Sequence, residues 1–394
     1  MTTTTAPGSG SSTCAAVLHL AMELSRRKWK LAFSTGLGQK ARERNIDGGD
    51  RGALLEEIER AKERFGLAAS ARVVSCYEAG PEGFWLHQFL CAHGSENFVV
   101  DSASIEVNRK RRRAKTDKLD VRALLRLLIR HLLGEEKVWR VVHVPDAAAE
   151  DRRQLHRELA TLTEERTRIR NRIRGLLQTQ GVEVRKGWGW KQLGERLKEQ
   201  RLWDGRTLGA RLMERLAREL DRLKVLDEQM ATIRRAMAAE LKAVAQENGP
   251  VAMMQRLMQL RSIGVQISRV LVMELFSWRD FQNRKEVGGC VGFDATPYDS
   301  GATHHEQGIS KAGNVWVRRV LSQLAWSWVR LQPQSALTKW FMERFANGGR
   351  RQRARGIVAL ARKLLIALWR YVRGGQAPAG ALVGKEEVYV LRAA

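Results

Sequence analysis

The alternation of apolar and polar positions divides the chain into regions of different character. In AAVLHLAMEL, Leu18, Leu20, Met22 and Leu24 alternate with His19, Ala21 and Glu23, the period of two that marks a strand with two different faces. A polar turn over 25–28 leads into WKLAFST, so the spacing predicts a β-hairpin over 15–36. LLEEIERAKERFG follows a helical period and stops at Gly66. RVVSCYEAG is a short apolar run stopped by Gly80 and Pro81, FWLHQFLCAHG is helical, and NFVVDSA is again a buried type of strand. Strands alternating with helices predict an α/β layer over about residues 14–140.

Beyond residue 150 the period changes. Leu155, Leu159, Leu162, Ile169, Ile173 and Leu176 recur at spacings of four and three, with Arg166 in the one skipped slot, which predicts a coiled-coil seam. A second, less regular stripe runs through Leu216, Leu220, Leu223, Leu226, Met230, Ile233 and Met237. Two long helices joined by the tip VRKGWGWKQLGERLKEQRLW would make an antiparallel arm over 146–247, which dimerises or spaces two domains apart. From about residue 250 the pattern is compact and helical. RLMQLRSIGVQISRVLVMEL reads as helix, tight turn, helix, either a phosphate-facing hairpin or a plain αα-corner. GGCVGFDATPYDSGATHHEQGISKAGN reads as a glycine-rich loop, with two further helices after it. Residues 1–13 and 374–394 read as loose tails.

Composition narrows the function classes. The 394 residues carry 69 Lys+Arg against 43 Asp+Glu, a net charge of +26 that points to a polyanionic partner, nucleic acid first, with ribosomal and membrane surfaces sharing the sign. A 44% hydrophobic content with 12 Trp and 10 Phe excludes a mainly disordered chain. No stretch approaches the roughly 18 apolar residues of a membrane span, and MTTTTAPGSGSST lacks the build of a secretory signal. Cys14, Cys76, Cys91 and Cys290 are too far apart for a CxxC pair or a zinc knuckle, so a reduced, intracellular, soluble protein is expected.

Candidate chemistry rests first on carboxylates. Glu23 closes the first strand, Glu78 ends VVSCYE, and Asp117 and Asp120 lie three apart at a helix start in AKTDKLDVRALLRLL, hence on one face. Together they suit two Mg²⁺ ions, which need hard oxygen ligands. Taken singly, each has an ordinary role as cap, dipole partner or solvated strand end. The basic run Arg109, Lys110, Arg111, Arg112, Arg113 and Lys115 abuts the aspartates, either as a solvated face or as a grip on a nucleic-acid backbone. A second basic stretch, 346–373, has eight Lys/Arg and no acid. Ser300 in PYDSG reads as a turn residue, and the nearby His304 and His305 do not promote it to a nucleophile. Trp188, Trp190 and Trp203 either stack on unpaired bases or close a small satellite core.

Four motifs then carry a family likeness over residues 15–373: MELSRRKWKLAF, CYEAGPEGFWL, KTDKLDVRALL, and IGVQIS with GGCVGFDATPYDSG and GISKAGNVWVRRVL. On these the chain resembles the insertion-sequence 110 type transposases, the bridge-RNA-guided DEDD recombinases. The resemblance implies an α/β plus α protein. A RuvC-like domain of RNase H fold would occupy 14–145, the coiled-coil arm 146–247, and a mainly helical transposase domain 248–373. It assigns the acidic tetrad to Glu23, Glu78, Asp117 and Asp120 as metal ligands, with Glu23 where the family usually has Asp in a D-V-S type motif. It makes Ser300 the nucleophile that forms a covalent phosphoserine with DNA. Arg109 to Arg113, Lys115, Lys311 and Arg318 become nucleic-acid contacts.

The implied cofactors are Mg²⁺ and a bridge RNA guide. The implied partners are double-stranded donor and target DNA, and a second or further copies of the chain joined through the arm as a homodimer or homotetramer. The implied place is the bacterial cytoplasm at the nucleoid, away from membranes. Two other readings stay open on the residues alone: a RuvC-like junction nuclease in which Ser300 is a bystander, and a non-catalytic nucleic-acid-binding scaffold.

Overall fold

A computed structural model describes residues 16–80, 83–105, 117–135, 138–184, 188–242, 249–300 and 303–384, with side chains described except at 103, 117–119, 295–300 and 303–307. The chain divides into two compact units, Met1–Asp146 and Ala147–Ala394. Among the described residues no helix is long and apolar enough to cross a membrane.

The first unit runs β1 (Leu18–Glu23), β2 (Lys28–Ser34), β3 (Arg42–Asp47), α1 (Arg51–Arg64), β4 (Val73–Glu78), α2 (Trp85–Ala92), β5 (Ser95–Val100) and α3 (Asp117–Leu132). The strands form one sheet in the order β3-β2-β1-β4-β5. β1, β2 and β3 are antiparallel, and β1, β4 and β5 are parallel. The period-2 pattern of β1 proves to separate two helical layers rather than core from solvent. Leu18, Leu20 and Met22 pack with Tyr77, Leu54, Ile58, Leu86 and Leu90 on the α1–α2 side. Ala21 faces Ala32, Val74, Cys76, Val121, Leu125 and Leu128 on the α3 side, where small side chains let the helix lie close.

β3 carries no apolar signal, since RERNID buries only Ile46. It is a charged edge strand, the kind that discourages pairing with another chain, and Arg42 is tied to the buried Glu57 at 2.8 Å. A strand held by charge pairs, ladder bonds and a single buried isoleucine leaves little for a hydrophobic-pattern argument to find.

The second unit begins with α4 (Ala147–Asp151) and α5 (Gln154–Gln178), followed by α6 (Leu193–Glu199) and α7 (Ala210–Lys242). α5 and α7 lie antiparallel, as the pairs Arg166–Asp227 at 3.2 Å and Arg172–Glu219 at 2.9 Å require. Arg166, the charge in the apolar stripe, thus meets a carboxylate from the opposite helix. Leu159, Leu162, Ile169, Ile173 and Leu177 are buried in the seam, whereas Leu155 and Leu176 are only partly buried, so its ends drift from the heptad spacing. Trp188 and Trp190 pack against this core, with Arg170 and Arg174 over the Trp190 ring and Arg196 over Trp188. Trp203 is 91% exposed.

The same core continues without a break into α8 (Pro250–Met258), α9 (Val265–Leu271) with a π-helical turn (Val272–Phe276), α10 (Arg284–Gly289), α11 (Val315–Leu331), α12 (Ala336–Phe345) and α13 (Arg350–Gly374), and the strands β6 (Ala295–Ser300) and β7 (Thr303–Ile309) lie between α10 and α11 in sequence. Three departures from the sequence expectation stand out. The glycine-rich segment expected as loop holds an antiparallel hairpin, β6–β7. Three helices rather than two follow it among the described residues.

The segment 376–384, expected as loose, is docked. Arg261 N donates to Leu382 O at 3.2 Å, Gln332 Nε2 to Leu382 O at 3.2 Å, and Leu382 N to Gln332 Oε1 at 2.7 Å. The buried Gln332 amide supplies both a donor and an acceptor, a role invisible in a Gly/Ala/Pro sequence.

Gly292 and Gly313 make the hairpin's stem possible. Both have positive φ (70° and 90°), and an added Cβ would stand 2.0 Å from Ala312 O and 2.2 Å from Cys290 O respectively. Gly313→Ala is therefore expected to lower stability, by about 1–3 kcal/mol from the backbone conformation and more from the overlap. Gly175→Ala, inside α5 with open space around it, is expected to raise stability by about 0.5–1 kcal/mol. Urea unfolding of the two variants should move the midpoint in opposite directions.

Candidate functional site

Glu23 and Glu78 are the last residues of β1 and β4, one step beyond the paired positions Met22 and Tyr77 of neighbouring parallel strands. Strand alternation puts both on the side of His19, Ala21, Val74 and Cys76, the face that α3 covers. The Cys76 thiol reports that surrounding: burial pushes its pKa up, and the neighbouring Glu78 charge adds to the effect. His19 Nδ1 lies 3.1 Å from Ser34 O, and burial lowers its pKa, so the imidazole is neutral. Neither group is a competing thiolate or cation beside the two carboxylates.

Asp117 opens α3 and Asp120 sits less than one turn on, immediately before the buried Val121. Two strand ends and the helix over them therefore carry the four acids. The side chain of Asp117 lies outside the described residues, as do Arg109, Lys110, Arg111, Arg112, Arg113 and Lys115 altogether. Among the described residues, no three His, Cys, Asp or Glu side chains gather closely enough to hold a metal ion.

Ser300 belongs to the second unit. It ends β6 and pairs with Thr303 at the tip of the hairpin, and its side chain is outside the described residues. The stem below is built tightly. Lys311 N donates to Gly292 O at 3.1 Å, Ser310 N to Asp294 O at 2.9 Å, and Asn314 N to Cys290 O at 2.9 Å. Lys311 is exposed and adopts a left-handed backbone, φ 56°. Arg318 is half-buried and points its guanidinium at the stem, donating to Val291 O at 2.8 Å. Of Lys311 and Arg318, both expected on nucleic acid, Arg318 braces the hairpin.

A residue that the sequence did not single out organises the base of this hairpin. Glu274, in the π-helical turn, is 0% exposed. Its Oε1 accepts from His156 Nε2 at 2.8 Å and Arg157 Nε at 2.7 Å; its Oε2 accepts from Arg157 Nη2 at 2.8 Å and Asn314 Nδ2 at 2.8 Å. Four hydrogen bonds fill the capacity of an ionised carboxylate. Burial acts to raise its pKa, but the bonds from His156, Arg157 and Asn314 and the Arg157 charge outweigh it, holding the carboxyl at about 2. Burial keeps His156 neutral against the pull of Glu274, so its Nε2 carries the proton. Glu274 is the single acid in the run VQISRVLVMELFSW, and a lone acid in a mainly apolar helix was the available signal.

Two family models match the chain. The one described as "Transposase IS116/IS110/IS902 family" matches residues 254–339, from α8 through the hairpin into α12. An IS110-type DEDD "Transposase" model matches 50–180, which includes Glu78, Asp117 and Asp120. The Sinorhizobium fredii protein named "Putative transposase y4rJ" is 41% identical over 380 residues, 93% of this chain and 94% of the relative. A second protein of that organism, "Putative transposase y4qE", is 25% identical over 259 residues, 65% of this chain and 58% of the relative.

The depressed pKa of Glu274 makes it a source of stability that is complete above its ordinary value of 4.5 and fades as pH falls toward 2. The shift corresponds to about 3 kcal/mol. Glu274→Gln should be less stable than wild type by about that much at pH 6, and the gap should close as pH is lowered from 5 toward 2. Urea unfolding of both proteins across that range checks it.

Proposed function

The chain belongs to the IS116/IS110/IS902 family of transposases, and from that premise we propose that it is an RNA-guided DNA recombinase working through a serine ester at Ser300. The observation that carries the reading is the 41% identity over 93% of the chain, because it takes in both the acid-bearing sheet and the serine hairpin. As a transposase it is a DNA-rearranging enzyme; the chemistry below is the finer proposal.

In the first step, Ser300 Oγ bonds to the phosphorus of a DNA phosphodiester while one deoxyribose P–O bond breaks. The proton given up by the serine hydroxyl ends on the departing deoxyribose oxygen. The energy of the broken bond is kept in the phosphoserine ester, so the hydroxyl of a second strand can displace the serine and reseal DNA without an external energy source. A serine at the end of β6 suits this role, since the stem below it is held by close backbone hydrogen bonds.

Glu23 and Glu78 on adjacent strand ends, with Asp117 and Asp120 at the start of the covering helix, would supply the all-oxygen donors that Mg²⁺ takes, although among the described residues no three such side chains are gathered round a metal position. Glu23 replaces the shorter Asp of the family pattern and still offers a carboxylate from the same strand end. When bound, the metal supplies positive charge against the charge that develops on phosphate. The protein's own residues hold the substrate: the run Arg109, Lys110, Arg111, Arg112, Arg113 and Lys115, with Lys311 and Arg318, grips backbones without reading sequence.

The net charge of +26 without a major-groove reading motif agrees with sequence choice by base pairing to a bridge RNA. The antiparallel pair α5–α7 would then be the coiled-coil arm that joins protomers as a dimer or tetramer and brings the serine of one to the acids of another. Such a division would make 14–145 the RuvC-like domain of RNase H fold, 146–247 the arm and 248–373 the transposase domain. The site of action would be DNA in the bacterial cytoplasm.

The decisive experiment incubates the protein with the element's flanking noncoding RNA, labelled donor and target DNA and Mg²⁺. A protein–DNA adduct should survive denaturation and be lost in both Ser300→Ala and Asp120→Asn. Metal-dependent cutting by Ser300→Ala with no adduct would replace this reading with a hydrolysing nuclease, and RNA binding without metal-dependent cutting would leave a scaffold. Independently, Mg²⁺ at a hundredfold excess over its Kd should stabilise the protein by about 2.7 kcal/mol in a thermal melt, and Glu78→Gln should abolish that gain.

A further inference from the structure

The buried carboxylate of Glu274 joins two elements that the reaction would have to coordinate. From one side come His156 and Arg157, in the first turn of the arm helix α5. From the other comes Asn314, which closes the stem of the serine hairpin. Asn314 has three separate tasks: its backbone N–H bonds Cys290 O at 2.9 Å, its Oδ1 caps α11 by accepting from Val317 N at 3.1 Å, and its Nδ2 donates to Glu274 Oε2 at 2.8 Å. Asn is a good cap, but Ser or Asp caps equally well. Only the carboxamide supplies a cap acceptor and a donor to Glu274 together.

The surrounding charges are cationic. Arg153 Nη1 stands 3.8 Å from Glu274 Oε2, and Arg279, just beyond the π-helical turn, interacts with the same carboxylate. Glu274 therefore sits, wholly buried, against Arg153, Arg157 and Arg279, with Glu150 also 3.9 Å from Arg153. Its own backbone is an i→i+5 turn, the local form often found at functional sites.

We infer that Glu274 is a positioning residue: through Asn314 it fixes the stem of the Ser300 hairpin to the root of the α5 arm helix, so that the seating of the arm sets the aim of the serine. The inference rests on the reading of Ser300 as nucleophile. Ser300 lies five residues up β6 from Ala295, about 17 Å at the rise of a strand. A small tilt at the stem is thus magnified at the tip.

The test uses full-length protein, the noncoding RNA and saturating DNA. Asn314→Ser keeps a cap acceptor and is too short to reach Glu274. It should remain folded by circular dichroism and bind DNA as wild type, yet form the adduct about 10–100-fold more slowly, the size expected for a misplaced reacting group. Hydrogen exchange of the stem amides over 308–314 should accelerate in parallel. Arg157→Gln, or Arg157→Lys where the first does not fold, should slow the adduct too.

If both act through Glu274, the double variant should be no slower than the slower single variant. Multiplying fold-changes would mean independent effects and overturn the coupling. A wild-type rate in Asn314→Ser, or slowed chemistry with unchanged exchange, would overturn the positioning role. Ser300→Ala run alongside separates the two failures. If it still cuts DNA, the serine reading falls and takes the aiming role with it, whatever the exchange data show of the link itself.

Discussion

A carboxylate taken wholly out of water is among the most demanding groups a fold can contain, because every one of its lone pairs must find a donor before the site is tolerable. Glu274 imposes that demand on the second unit. Its four hydrogen bonds come from two elements more than a hundred residues apart in sequence, α5 and the Asn314 cap. Apolar packing would let these elements slide over one another at little cost; the carboxylate does not. It fixes where α5 starts, where the π-helical turn stands and where α11 begins, and the hairpin between α10 and α11 inherits that frame. Such a bond set contributes less to net stability than to uniqueness, since an apolar replacement can be as stable while losing the register.

How far the sequence spoke for itself follows from what kind of force holds each element. β1, β2, β4 and β5 are apolar and period-bound, and their positions were legible. So were α1, α2 and the start of α3, and hence the placement of Glu23 and Glu78 at strand ends. β3 was not, because an edge strand of Arg, Glu, Asn and Asp with one buried Ile46 is held by its neighbour and by Glu57 rather than by burial. The β6–β7 hairpin was missed for a different reason: its strands are polar and glycine-flanked, and it stands on close backbone contacts at Gly292 and Gly313 that leave no periodicity. The docking of 376–384 depends on a Gln332 amide far away in the chain. Ser300 had no support from composition or spacing, and only the resemblance of its surrounding motif raised it to a candidate.

The antiparallel pair α5–α7 shows the same division within a single feature. The apolar spacing located both helices and one charge between them, Arg166, whose partner Asp227 lies across the seam, but not the buried Glu219 that pairs with Arg172. What the spacing could not convey was that the apolar core does not stop at residue 247. It runs on through Leu257, Leu271 and Val317 to Leu368, so within this unit α5, α7 and the helices around the hairpin share one core. A shared core transmits a displacement of one element to the next, because close-packed side chains resist compression.

That continuity bears on how a protein of net charge +26 can be selective in what it does to DNA. Backbone contacts from arginine and lysine are strong and nearly blind to sequence; a basic surface binds wherever phosphate is offered. On the proposed reading, control over chemistry would then come from geometry: a serine nucleophile would have to be aimed only when the right assembly is in place. A neutral hinge between arm and hairpin would leave aim and assembly uncoupled. On the same reading, a buried anion held against Arg153, Arg157 and Arg279 would couple them, since a movement of α5 that withdrew Arg157 would take away two of the four hydrogen bonds of Glu274 and loosen its hold on Asn314. Selectivity of this kind asks nothing of the side chains that touch DNA. It asks that one carboxylate, far from any phosphate, be held by both elements at once.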